Sequence, residues 1–122
     1  MEAKPRVLVI DDEPSVRKTL TLVLQSAGYE VAVASDGEAG VELARRSPPG
    51  LVITDVQLGG IDGLAVTRAL TQEVPSTPII VMTGHASVEN AVAAMQAGAV
   101  DYLIKPVSPS QVRQVASCRK RS

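Results

Sequence analysis

Four apolar runs in this sequence stop at residues that can do chemistry. VIDD runs into the adjacent carboxylates of Asp11 and Asp12, and LVITD ends on the carboxylate of Asp55. IIVMT ends on the hydroxyl of Thr83, and YLIK ends on the ammonium of Lys105. Clustered aspartates repel one another and raise their own pKa values. A divalent cation relieves that repulsion, and hard oxygen ligands with open positions favour magnesium. A carboxylate can also accept a phosphoryl group, giving an acyl phosphate. That transfer needs in-line positioning and charge neutralisation, which magnesium and Lys105 can supply. Gly84, directly after Thr83, leaves room for an incoming group. Strand ends often carry Asp because loops are polar, so no single residue is diagnostic. The weight lies in every informative strand end carrying complementary chemistry.

The elements that must bring these residues together are legible as well. Five short apolar runs recur, Val7 to Ile10, Val31 to Ala34, Leu51 to Ile53, Ile79 to Met82 and Tyr102 to Ile104. Most are continuous rather than alternating, as in strands buried on both faces of a parallel sheet. Between them lie helical patterns. Val16, Leu20, Val23, Leu24 and Ala27 share one face, with Pro14 suited to the first turn and Gly28 to a left-handed stop. Asp36 caps a second helix through Arg46, ended by SPPG, and Asp62 caps a third from Gly63 to about Gln72. Ser87 caps a fourth, expected to turn Val88, Val92 and Met95 inward and to stop at Gly98. Ser108-Pro109 opens a last helix that the chain end is expected to leave short. Strand and helix repeated five times predict an α/β fold, a doubly wound five-stranded parallel sheet with helices on both faces. In such sheets ligands bind outside the carboxyl ends of the strands, near the point where the winding reverses.

VIDDEP, ITDVQLGGIDGL, VMTGHAS and GAVDYLIKP, in that order and spacing, resemble the receiver domain of two-component response regulators over nearly the whole chain. The resemblance implies a flavodoxin-like strand order of 2-1-3-4-5. It implies Asp55 as the phosphoryl acceptor, Asp11 and Asp12 as acids that hold magnesium together with Asp55, and the main-chain carbonyl of Gln57 as a further ligand. Thr83 and Lys105 would contact the phosphoryl group, Tyr102 would be the switch aromatic, and the Lys105–Pro106 peptide bond would be cis. Apart from the resemblance, His85 reads first as a solvent-facing loop histidine rather than a catalytic base. Two residues past Thr83, its position lets it reach the mouth of the site, where with Gln57 it would tune attack of water on a phosphoaspartate. The implied partners are a histidine kinase or phosphotransfer protein, an attached or separate output domain acting on transcription, and a second copy after phosphorylation. The family's Met-Pro after the acceptor strand is replaced by Leu58, Gly59 and Gly60, which predicts a looser loop.

Composition narrows the alternatives. At 122 residues the chain fits one domain, and its core must be aliphatic, with no Phe or Trp and only Tyr29 and Tyr102. Residues 5–117 are expected to form that domain and 118–122, CRKRS, a basic tail or the start of a linker. Twelve basic against thirteen acidic residues leave a net charge of -1, so no global field draws nucleic acid or membrane. Arg113, Arg119, Lys120 and Arg121 lack interleaved aromatics and read as a solvated helix end. A lone Cys118, no signal peptide and no run near the roughly 20 apolar residues of a spanning helix fit a cytoplasmic protein. GEAG and LGGIDG lack the spacing of a phosphate-cradling loop. The rival to a signalling module is a phosphatase with an aspartyl nucleophile. Such an enzyme usually needs a second acid two residues on, where this chain has Gln57. A receiver-like domain that switches without phosphate is a weaker third reading, since the acid set is complete.

Overall fold

The computed structural model describes residues 5–56, 63–84 and 88–120. Ten elements alternate along the chain: β1 (Arg6–Ile10), α1 (Pro14–Ser26), β2 (Glu30–Ala34), α2 (Gly37–Arg46), β3 (Leu51–Asp55), α3 (Gly63–Glu73), β4 (Ile79–Thr83), α4 (Val88–Ala97), β5 (Asp101–Ile104) and α5 (Pro109–Lys120). The strands form one sheet in the order β2-β1-β3-β4-β5, and every pairing is parallel. The expected order and winding are therefore present. The chain steps outward from β1 to β2, then returns to β3 and proceeds the other way, so the reversal falls between β1 and β3.

Burial explains the continuous apolar runs. β3 and β4 are buried along their whole length, and β1 along all but Arg6, because helices cover both faces. Alternate residues supply the two cores. Val7, Val9, Ile53, Ile80 and Met82 pack with Leu20 and Leu24 of α1 and Val112 and Ala116 of α5. Leu8, Ile10, Val52 and Ile79 pack with Ala44 of α2 and Val66 and Leu70 of α3. The edge strands β2 and β5 are only partly buried.

Several helix ends match their residues. The Asp36 side chain accepts the Ala39 N–H at 2.8 Å. Gly28 and Gly98 sit at φ +96° and +115°, the left-handed region where a Cβ is disfavoured. The proposed caps Asp62 and Ser87 lie outside the described residues.

Two expectations are corrected. In α4, Val92 and Met95 are not inward: they are 47% and 44% exposed, while Ala94 and Ala97 are buried. The side chain of Val88 is outside the description. The cause is close approach at the end of α4, where a Cβ on Gly98 would lie 2.3 Å from Thr71 Oγ1 of α3. Only a face of alanines fits a helix held that near, so the larger apolar residues turn to solvent. Nor is α5 cut short, since its 12 residues nearly match the 13 of α1. Its start is a reciprocal cap: Gln111 N–H donates to Ser108 Oγ at 3.1 Å, and Ser108 N–H donates to Gln111 Oε1 at 3.0 Å.

Candidate functional site

Strand register brings the chemistry-bearing residues to one rim. Ile10 pairs with Thr54, Asp55 with Met82 and Thr83 with Ile104. Asp11 therefore follows the tip of β1, Asp55 and Thr83 are the tips of β3 and β4, and Lys105 follows the tip of β5. Neighbouring backbones hold these tips in place. Val56 N–H donates to the Met82 carbonyl at 2.9 Å, and Lys105 N–H to the Thr83 carbonyl at 2.7 Å. Gly63, at the start of α3, donates its N–H to the Val56 carbonyl at 3.0 Å. A Cβ on Gly63 would lie 2.4 Å from the Asp55 carbonyl oxygen and 2.5 Å from Val56 Cα, so the absence of a side chain lets α3 abut the end of β3.

The carboxylates converge. One oxygen from each of Asp11, Asp12 and Asp55 lies within 4.8 Å of the others. Lys105 Nζ donates to Asp55 Oδ2 at 2.7 Å, and lies 2.9 Å from Asp11 Oδ2 and 3.3 Å from Glu13 Oε1. Asp11 and Thr83 are fully buried and Asp55 nearly so, whereas Asp12 is exposed. Asp11 Oδ1 accepts the Glu13 N–H at 2.9 Å. Its Oδ2 is buried without an aligned hydrogen bond, and its pairing with Lys105 is one of distance rather than direction.

One ammonium thus serves three carboxylates. Burial strips water from Asp11 and pushes its carboxyl above the usual value, despite the Glu13 N–H and Lys105. Burial alone would lower the Lys105 ammonium, but the hydrogen bond to Asp55 and the negative charges of Asp11 and Asp55 outweigh it and hold Lys105 above its ordinary range. A buried carboxylate oxygen lacking an aligned donor, beside two further carboxylates, fits a hard divalent cation.

The expected residues Asp11, Asp12, Asp55 and Lys105 are therefore together, with Thr83 on the adjacent strand tip. Tyr102 is half-buried on β5 and packs onto a small cluster of Val81, Ala94 and Ala99 that also takes in Val56, the residue after Asp55. Gln57, the loop glycines Gly59 and Gly60, and His85 lie outside the described residues, as does the Cys118 side chain.

Two participants escaped the sequence reading. Glu13 holds the N-cap position of α1 without capping it, and instead reaches Lys105. Arg17 turns back from α1 so that Nη1 donates to the Asp11 carbonyl at 2.6 Å. A glutamate at an N-cap, where Ser, Thr, Asp or Asn is usual, was the signal available for Glu13. Arg17 carried none beyond its place one turn into the helix.

Residues 7–117 match the family described as Response regulator receiver domain. Over 116 residues the chain is 40% identical to the alginate biosynthesis transcriptional regulatory protein AlgB of Pseudomonas aeruginosa, covering 95% of this chain and 26% of that protein. The receiver domain of NtrX from Brucella abortus superposes with a TM-score of 0.89 at 31% identity, covering 95% of this chain and 99% of that one. A response regulator from Burkholderia pseudomallei, solved with a phosphorylated aspartic acid, a calcium ion and citrate, superposes with a TM-score of 0.84 at 29% identity, covering 97% of this chain and 74% of that one. The chain spans half or less of the length of the first curated relatives it matches.

Proposed function

The chain belongs to the response regulator receiver domain family, and on that premise we propose that it is a phosphoryl-accepting switch, with Asp55 as the acceptor. The observation that carries this reading is the convergence of Asp11, Asp12 and Asp55 on one rim, with the Lys105 ammonium shared between Asp11 and Asp55. In the transfer, a carboxylate oxygen of Asp55 forms a bond to phosphorus as the bond from phosphorus to the donor breaks, leaving an acyl phosphate on Asp55. Magnesium, when bound, would neutralise charge on the phosphoryl oxygens and hold them in line. Asp11 and Asp12 would hold it with Asp55, and the Gln57 carbonyl would complete the protein's share. Lys105 already donates to Asp55 Oδ2, and would transfer that hydrogen bond to a phosphoryl oxygen.

The donor we propose is a phosphohistidine on a sensor kinase or phosphotransfer protein. The proposed output is transcription through an attached or separate domain, in keeping with the name of the AlgB relative. Phosphorylation-dependent pairing with a second copy belongs to the same proposal. No helix among the described residues is long and apolar enough to cross a membrane, and a cytoplasmic location follows from the signalling role proposed. The chain would act as a signalling module, turning over only its own acyl phosphate.

Thr83 and Tyr102 would carry the switch. A phosphoryl group brings about -1.5 to -2 charges and three strong acceptors to the strand tips. The Thr83 hydroxyl would turn to donate to it, and Tyr102 would rotate further inward over the Val81–Ala94 cluster. Near-complete switching needs about 5.5 kcal/mol, which two or three charge-assisted hydrogen bonds at roughly 1.5–3 kcal/mol each can supply. Beryllofluoride with magnesium tests the reading through the Tyr102 ring resonances. These should shift in the wild type, stay put in Thr83→Ala that still binds the mimic, and stay put in Asp55→Asn that does not bind it. An equal Tyr102 shift in Asp55→Asn would overturn the assignment of Asp55.

A further inference from the structure

Asp11 has four polar groups, and three of them are fixed by different parts of the fold. Its N–H donates to the Ala34 carbonyl of β2 at 3.2 Å. Oδ1 accepts the N–H of Glu13 at 2.9 Å. Its carbonyl accepts Nη1 of Arg17 at 2.6 Å. The remaining atom, Oδ2, is the buried one without an aligned hydrogen bond.

We propose that Arg17 is a positioning residue that aims the carboxylates of Asp11 and Asp12 at their cation. The proposal rests on the metal-holding role of these acids and extends it to a residue outside the site. The carbonyl that Arg17 grips belongs to the peptide unit joining Asp11 to Asp12. Because a peptide unit is planar, fixing its carbonyl constrains ψ of Asp11 and φ of Asp12 together. One hydrogen bond therefore orients the backbone beneath both acids. A side chain in the second turn is placed to do this, since helical side chains lean toward the helix N-terminus. Arginine suits the task, being planar, permanently charged and less strongly hydrated than lysine. Arg17 is half-buried, and its own N–H is already used in α1, donating to the Glu13 carbonyl at 3.2 Å.

Charge and orientation make opposite predictions, which allows a clean test. If Arg17 were only a nearby positive charge, removing it would strengthen the binding of a divalent cation. If it positions the acids, removing it weakens binding, as loss of groups that orient metal ligands typically costs about 10–100-fold in affinity. The experiment is calorimetric titration of magnesium chloride into unphosphorylated wild type, Arg17→Met, Arg17→Lys and Asp12→Asn, with the metal-free melting midpoint recorded for each. Arg17→Met, which keeps the aliphatic stem, should lose about tenfold or more in magnesium affinity. Arg17→Lys should fall between it and the wild type, and serves in its place should Arg17→Met not fold. Magnesium binding by both Arg17 variants as tight as the wild type's, or tighter, overturns the proposal while leaving the metal site standing. No magnesium binding by the wild type, or unaltered binding by Asp12→Asn, overturns the metal site itself. A loss of affinity that merely tracks a falling metal-free midpoint overturns the positioning role in favour of a tether for the fold.

Discussion

Lys105→Met should unsettle the rim strongly, because it leaves three carboxylates with no shared cation. The Lys105 side chain is 18% exposed and those of Asp11 and Asp55 are 0% and 7%, so the pairings are close to fully buried. Removing one partner of a buried ion pair costs about 3–5 kcal/mol, since the other charge is left uncompensated. The site opens toward Glu13 and Asp12, which places the cost at the lower end, about 3 kcal/mol. For a domain of this size, roughly 4 °C per kcal/mol gives a melting midpoint about 12 °C lower at neutral pH without divalent cation. The pH dependence has a definite sign. Asp11 already sits above its ordinary value of 3.8 in the fold, and losing Lys105 removes two influences that lower it. A carboxyl raised on folding favours the folded state most below its unfolded value, and that advantage is lost as pH rises through the folded value. The deficit of Lys105→Met should therefore be full at neutral pH and shrink as pH falls into the range just above 3.8. Magnesium should narrow it too, raising the midpoint more in Lys105→Met than in the wild type because no ammonium competes for the acids. Scanning calorimetry across pH, with and without magnesium, measures all three effects. A loss under about 1 kcal/mol that ignores both pH and magnesium would refute the shared-cation account.

Two further perturbations probe the supports of the site. Gly63→Ala should destabilise by about 3 kcal/mol, the upper part of the range for overpacking, because its Cβ would meet only backbone atoms of Asp55 and Val56. Gly84→Ala, whose Cβ would meet nothing within 4 Å, should stay within about 0.5 kcal/mol of wild type by urea unfolding. Burial holds the Tyr29 hydroxyl above its usual value of 10.0, so its contribution to stability is complete below that pH and is lost as pH rises through the higher folded value. Ultraviolet absorbance should accordingly show a late phenolate step in the folded protein that Tyr29→Phe abolishes.

The central strands were legible because a strand covered on both faces has no polar face, and Leu51 to Ile53 and Ile79 to Met82 carry that pattern plainly. The rim chemistry was legible for a related reason: in a parallel sheet, residues just past the strand ends share one edge, however far apart they stand in the chain. Lys105 and Asp11 are 94 residues apart by number, yet their charged atoms lie 2.9 Å from each other. The α4 face misled, because Val88, Val92 and Met95 have helical spacing while the side that packs is chosen by the closeness of α3. Nothing in a periodicity records that Gly98 presses on Thr71. Glu13 and Arg17 were missed because their contacts are between side chains and groups whose direction depends on the turn after β1. At Ser108–Gln111 the proline marks the helix start, and the Ser-x-x-Gln spacing that makes the reciprocal cap is also written in the sequence.

The most direct test is to expose the chain to acetyl phosphate with magnesium and measure its intact mass and the masses of its peptides. The account predicts one added phosphoryl group, carried on the peptide containing Asp55, dependent on magnesium and absent from Asp55→Asn. A phosphoryl group retained in full by Asp55→Asn, or acquired equally without divalent cation, would contradict it.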